Sequence, residues 1–142
     1  MMKLLGVIIF SMFGILLLTD VLTIYTTKFK LENAISQAVD AAYISSTQEE
    51  DFKRGFVTID EAEAEHTIRM QLINNLKLNS NMENDIYKNS VVNVNTHYDS
   101  DDNPRIEAEF KTQVTIISGK VVGIDTFPVE ISKKTPFIML PK

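Results

Sequence analysis

Residues 4–25, LLGVIIFSMFGILLLTDVLTIY, run without a proline or a turn signal into residues 28–42, KFKLENAISQAVDAA. This join predicts one long helix, apolar on all sides in its first half and amphipathic in its second. At about 1.5 Å per residue the stretch from Leu4 to Tyr25 extends roughly 33 Å, enough to cross a hydrocarbon core of about 30 Å. The residues that follow, Thr26, Thr27, Lys28 and Phe29, do not form the small-x-small site of a cleaved secretory signal. Residues 1–25 are therefore expected to stay as a transmembrane anchor, with residues 26–142 forming one extracytoplasmic domain.

One acid interrupts the apolar run. Asp20 stands near its end, where a charge costs less than the roughly 2.5–3.5 kcal/mol of a helix centre on insertion scales. Two readings are open for it: solvation near the headgroups, or pairing with a cation or polar group on another helix. In the amphipathic half, Leu31, Ala34, Ile35, Ala38, Val39, Ala41 and Ala42 keep the three-and-four spacing of one helix face. Ala34, Ala38 and Ala42 make two small-xxx-small steps, which let helix backbones approach closely. The spacing fits a contact face between subunits and a face packed on the chain's own domain equally well.

A turn at Gly55 precedes a second helix, expected over Ile59–Leu76. Thr58 and Glu61 match a capping box, and Asp60, Glu61, Glu63 and Glu65 crowd the first turns, where the helix dipole favours negative charge. Ile68, Leu72, Ile73 and Leu76 supply its apolar stripe. After a polar loop, Asn79–Asn84, the pattern changes to alternation. Val91, Val92, Val94, Thr96 and Tyr98 form one expected strand. Ile106–Ile117 forms a second, with Ile106, Ala108, Phe110, Thr112, Val114 and Ile116 on one face. Phe127–Ser132 forms a third, with Phe127, Val129 and Ile131 facing one way. Asp99–Pro104 reads as a hairpin loop, Ser118 and Gly119 as a turn, and Val121 and Val122 as a strand extension or a corner. The fold class is α+β: a transmembrane helix continuing into a long amphipathic helix, then a second helix and an antiparallel β-meander of three to four strands.

Composition excludes several kinds of chemistry. The chain has no cysteine, so neither disulfides nor thiolate catalysis enters. The net charge is −5, and the seven acids between Glu49 and Glu65, set against Lys53 and Arg54, account for it. No basic patch interleaved with aromatic residues occurs, so nucleic acid is not an expected partner. Asp99, Asp101 and Asn103 open like a calcium loop, but Pro104 stands where that motif needs Gly and Phe110 where it needs Glu. An acidic hairpin tip explains them better. His66 and His97 have no second ligand at zinc spacing. With no Gly-x-Ser-x-Gly elbow and no phosphate-cradling loop, the expectation is a chain that is not an enzyme and that holds no cofactor or metal.

Thr19-Asp20-Val21, Lys30-Leu31-Glu32-Asn33-Ala34 and Gln37-Ala38-Val39-Asp40-Ala41-Ala42 together resemble the TadE/TadG-like minor pilins over about Leu4 to Ala42. Members have an apolar N-terminal helix, a Leu-Gln-Asn-Ala segment with an alanine-rich continuation, and often an acid about eleven residues before that Leu, as Asp20 stands before Leu31. The chain departs from the pattern in having Glu32 for the commoner Gln and Ser36 where Asp is frequent. If Gly6 precedes a prepilin-peptidase cut, Ser11 falls where pilins carry Glu.

The resemblance implies a single-pass membrane protein of a type IV pilus-like filament or secretion apparatus, with its N-terminus inside and its bulk outside. Lys3 on one side and Lys28 and Lys30 on the other leave orientation undecided by charge. On this reading Leu4–Leu18 is a stalk; Asp20, Leu31, Ala34, Ala38 and Ala42 are assembly residues; and Asp20 fixes register between neighbouring helices. The implied partners are the membrane, other copies or pilin-like subunits, and envelope assembly machinery. The alternative is an anchored adaptor in an envelope or conjugation complex that uses the same helix without polymerising.

Overall fold

A computed structural model describes residues 2–47, 58–100 and 103–135. The expected turn at Gly55, the acids Glu49, Glu50 and Asp51 with Lys53 and Arg54, and Asp101 lie outside the described residues. The architecture is α+β. Helix α1 spans Met2–Ser46, helix α2 spans Glu61–Leu76, and strands β1 (Tyr87–Tyr98), β2 (Pro104–Thr115) and β3 (Thr126–Lys134) form an antiparallel sheet in the order β1-β2-β3. A 3-10 segment, Ser118–Val122, joins β2 to β3.

The two halves of α1 live in different surroundings. From Lys3 to Thr19 every side chain is exposed except the half-buried Leu16, and α1 is long and apolar enough to cross a membrane, a test that a signal sequence also passes. From Asp20 onward one stripe is covered: Asp20, Thr27, Leu31, Ala34, Ile35, Ala38, Val39, Ala42 and Ser46 are all buried. Their three-and-four spacing keeps them on one side of the rod.

Helix α2 returns along that stripe. Hydrogen bonds Ser45–Thr67 (2.9 Å) and Asn75–Gln37 (3.3 Å) set the pair antiparallel, with Ala38 and Ala42 between the two rungs. Ala64, Ile68, Leu72 and Leu76 are buried on α2. Ala34, Ala38 and Ala42 are thus consumed inside the chain's own core, along with Leu31. This is the own-domain use, one of the two that their spacing allowed. The physical reason is that α2 and the sheet both pack on the alanine-bearing face of α1, while Phe29, Asn33, Gln37, Asp40 and Ile44 on its other side stay exposed.

The N-terminus of α2 also differs from expectation. Its cap is Asp60, whose Oδ1 accepts from the Glu63 backbone N–H at 3.1 Å, so the helix starts at Glu61 and not at Ile59. The Asp60 N–H donates to the Ser46 carbonyl (3.1 Å), and Thr47 bridges to Ile59, so the end of α1 and the approach to α2 are tied together and Ile59 is extended. At the other end Lys77 is left-handed (φ 55°), and the Leu78 N–H closes the helix on Ile73 O.

Strand β2 is central, and Ile106, Ala108, Phe110, Thr112 and Val114 face the helices as expected. Ile116 lies beyond the strand end. Strand β1 starts four residues earlier than the valine run suggests. Lys88 pairs with Gln113 but Val91 with Lys111, so the strand bulges between them, with Asn89 at φ 50°. The extra residue lets Tyr87 share the buried face with Val92, which strict alternation forbids. Val91 is consequently exposed, and Tyr98 half-exposed. In β3, Val129 and Ile131 are buried, but Phe127 is 43% exposed, because it stands where the strand runs past the core toward the 3-10 segment. Val121 and Val122 belong to that segment, so the sheet has three strands, the lower of the numbers expected.

With Ala38 fully buried between the helix rungs, Ala38→Leu is expected to lower stability by about 1–3 kcal/mol through overpacking. Denaturant unfolding of the detergent-solubilised chain measures it; an unchanged midpoint would mean that α2 does not pack where the hydrogen bonds put it.

Candidate functional site

Asp20 is the one acid in the apolar run, and the structure buries it to 5% exposure. Its partners are 97 and 98 residues away along the chain. Oδ1 accepts the Ile117 backbone N–H at 2.8 Å, and Oδ2 accepts the Ser118 backbone N–H at 2.6 Å and the Ser118 hydroxyl. Among the described residues no ion pair reaches it. Within the chain Asp20 is therefore not solvated: the polar groups that satisfy it belong to the 3-10 segment of its own fold.

The chemistry of this contact follows from unpaired backbone groups. The first N–H groups of a helical segment have no partner of their own, and Ile117, at the cap position, offers no side-chain acceptor. The Asp20 carboxylate supplies the acceptor from across the fold. In return its negative charge, costly to bury bare, meets three donors and the positive end of the segment's peptide dipoles.

The segment is built to hold that shape. The Ile124 N–H donates to Gly119 O at 2.7 Å, and Ile116 N–H to Asp125 O at 2.9 Å. A Cβ on Gly119 would collide with the Ile124 carbonyl oxygen and crowd the Ile116 side chain, so the close approach requires glycine. Gly123 ends the segment in the left-handed region (φ 81°). Sequence reasoning found the turn at Ser118 and Gly119 but not its partner. A buried acid announces a need for donors; nothing local says which residues nearly a hundred positions away provide them.

At the distal end of the domain a second carboxylate is engaged. Asp99 Oδ2 accepts from Arg105 Nε (3.1 Å) and Nη2 (2.9 Å), and Oδ1 accepts the Asn103 N–H (2.9 Å). Arg105 is itself buried and reaches Thr135 O. Asp99 thus works in a turn and an ion pair, and Asp101 of the calcium-like spacing lies outside the described residues. His66 and His97 are both exposed. Among the described residues no group of three metal-ligating side chains converges.

A cleft of about 550 Å³ opens beside Lys30, Gln37, Asn75, Lys77 and Asn84. Three of its amides are occupied structurally: Asn75 bonds Gln37, and Asn84 donates to Leu76 O (2.9 Å) while accepting from the Ile86 and Tyr87 N–H groups. Its charged lining consists of two lysines, with no nucleophile and base paired across it. Gly6 lies within α1, exposed, with open space around its Cα.

Asp20→Ala removes the acceptor and leaves the Ile117 and Ser118 N–H groups to water or to nothing, a loss of about 1–3 kcal/mol. Hydrogen exchange at those two amides should accelerate accordingly, with Asp20→Asn intermediate because it keeps one acceptor oxygen. Unchanged exchange would show that the carboxylate does not hold the segment. Comparison with protein-family models, with curated proteins and with solved structures finds no match to this chain.

Proposed function

We propose that this chain is a structural, pilin-like subunit, held in a membrane by the first half of α1, carrying its α+β head outside the cytoplasm and associating with neighbours through that same apolar half. The observation that carries the reading is the division of α1: an unbroken rod whose first part presents apolar side chains on all sides, while the rest is core to a rigid head. Among the described residues Leu4, Phe10, Leu17 and Leu18 are exposed, and lipid or the equivalent helices of other subunits are the surroundings that suit them. The cleft amides of Gln37, Asn75 and Asn84 are engaged in the fold, which favours a structural role over a catalytic one.

One observation favours the alternative, an anchored adaptor that does not polymerise. Asp20, Leu31, Ala34, Ala38 and Ala42 are spent inside the head, so the features from which a subunit interface was expected serve another purpose. An interface built from the apolar half alone would depend on shape, with Gly6 and Gly14 as the points of closest approach.

Intact-mass spectrometry of membrane and extracellular fractions, with and without a co-expressed prepilin peptidase, separates the readings. A filament subunit is expected outside the cell with a mass short by Met1–Gly6. A full-length mass retained in the membrane, with no crosslinked homo-oligomer, would leave the adaptor. A soluble full-length chain would remove both.

A further inference from the structure

We infer that the connection from Ile117 to Ile124 is a foot that seats the head on the bilayer surface, with its apolar side chains in the lipid headgroup and acyl boundary. The inference rests on the anchored reading of α1 above and adds to it a depth and a second point of lipid contact.

The depth comes from Asp20. Its hydrogen bonds fix the connection against α1 at the residue where the helix stops being exposed on all sides. A span running from Leu4 to Tyr25 would carry this polar contact and its loop backbone into hydrocarbon, where irregular backbone facing lipid is not tolerated. A span ending at Thr19 avoids this. From Met2 to Thr19 α1 extends roughly 27 Å, close to the thickness of a hydrocarbon core. Asp20 and the connection then fall at the boundary.

The side chains fit that position. Ile117, Val121 and Ile124 are 56%, 69% and 60% exposed, and the half-exposed Phe127 follows at the start of β3. Their exposure does not come from a loose loop, because Gly119 O, Asp125 O and the Asp20 carboxylate all hold its backbone. Lys120 is exposed among them, a cation whose stem can lie along lipid while its ammonium meets phosphate oxygens. On α1 the exposed Tyr25 and Phe29 follow Asp20, with the exposed Lys28 and Lys30 beside them, the order of aromatic and basic residues found at a membrane interface. Continuity with the lipid-crossing stretch selects lipid as the occupant over a second protein.

The chain contains no tryptophan, so single tryptophans report position without background. Full-length Val121→Trp and Ile124→Trp, both at exposed sites, are placed in phosphatidylcholine nanodiscs carrying bromine either near the headgroup or deep in the acyl chain. Ile9→Trp serves as the anchor reference and Glu130→Trp, on the outer face of the sheet, as the aqueous one. The expected result is blue-shifted emission from Val121→Trp and Ile124→Trp, quenched by the shallow bromines more than the deep ones, with Ile9→Trp quenched by the deep ones and Glu130→Trp by neither. If Ile9→Trp is quenched but the two connection variants behave like Glu130→Trp, the foot is overturned and the anchor stands. If Ile9→Trp escapes quenching, the anchor falls and the foot with it. Blue-shifted connection variants that no bromine quenches would assign the patch to a protein partner or a second copy, and overturn lipid as its occupant.

Discussion

A carboxylate set in an apolar helix must be given hydrogen-bond donors, and the arrangement of this fold follows from where they come from. Asp20 takes them from the backbone of Ile117 and Ser118, which brings the end of β2 and the start of β3 against α1. That contact sets the rotation of α1 relative to the sheet. Once Asp20 faces the connection, the three-and-four repeat carries Thr27, Leu31, Ile35, Ala38 and Ala42 to the same side, and the core assembles on them. The contact also marks a border. After it α1 has neighbours supplied by its own chain; before it, among the described residues, its side chains are exposed apart from the half-buried Leu16.

Long elements with a clear period were legible in the sequence: α1, most of α2, and the inward face of β2. The departures share a cause, which is that a distant contact outweighed a local pattern. Thr58 and Glu61 have the right spacing for a cap, but the Ser46 carbonyl takes the Asp60 N–H and the Thr47–Ile59 bridge keeps the approach extended, so the helix begins after Asp60. Tyr87 is out of phase with Val92 until a bulged residue restores the face, and no periodicity argument anticipates an insertion. The alanine steps at positions 34, 38 and 42 are compatible with a helix partner inside or outside the chain, and the structure buries them in the core that α2 shares. For Asp20 the need for a partner was readable and its identity was not.

The head is closed at both ends by related chemistry. Near the exposed half of α1, Asp20 holds the β2–β3 connection; at the distal end, Asp99 holds the β1–β2 turn through Arg105 and Asn103. Between them the outer face of the sheet carries exposed cross-strand pairs, Lys134 with Glu107 and Lys111 with Glu130, each worth little. Stability therefore resides in the inward face, in the buried Asp20 carboxylate and in the pair of the half-buried Asp99 with Arg105.

The unbroken backbone of α1 has a mechanical side. A head joined to an anchor by a flexible linker can rotate freely above a membrane, whereas a head wrapped around the continuation of the same rod inherits every inclination of that rod. From Asp20 to Ser46 the rod is roughly 39 Å long, so a tilt of about 20°, average for helices in bilayers, swings its far end sideways by roughly 13 Å. In the anchored arrangement proposed above, anything that changes the tilt, bilayer thickness included, would steer where the distal surface points, and the helix would act as a lever.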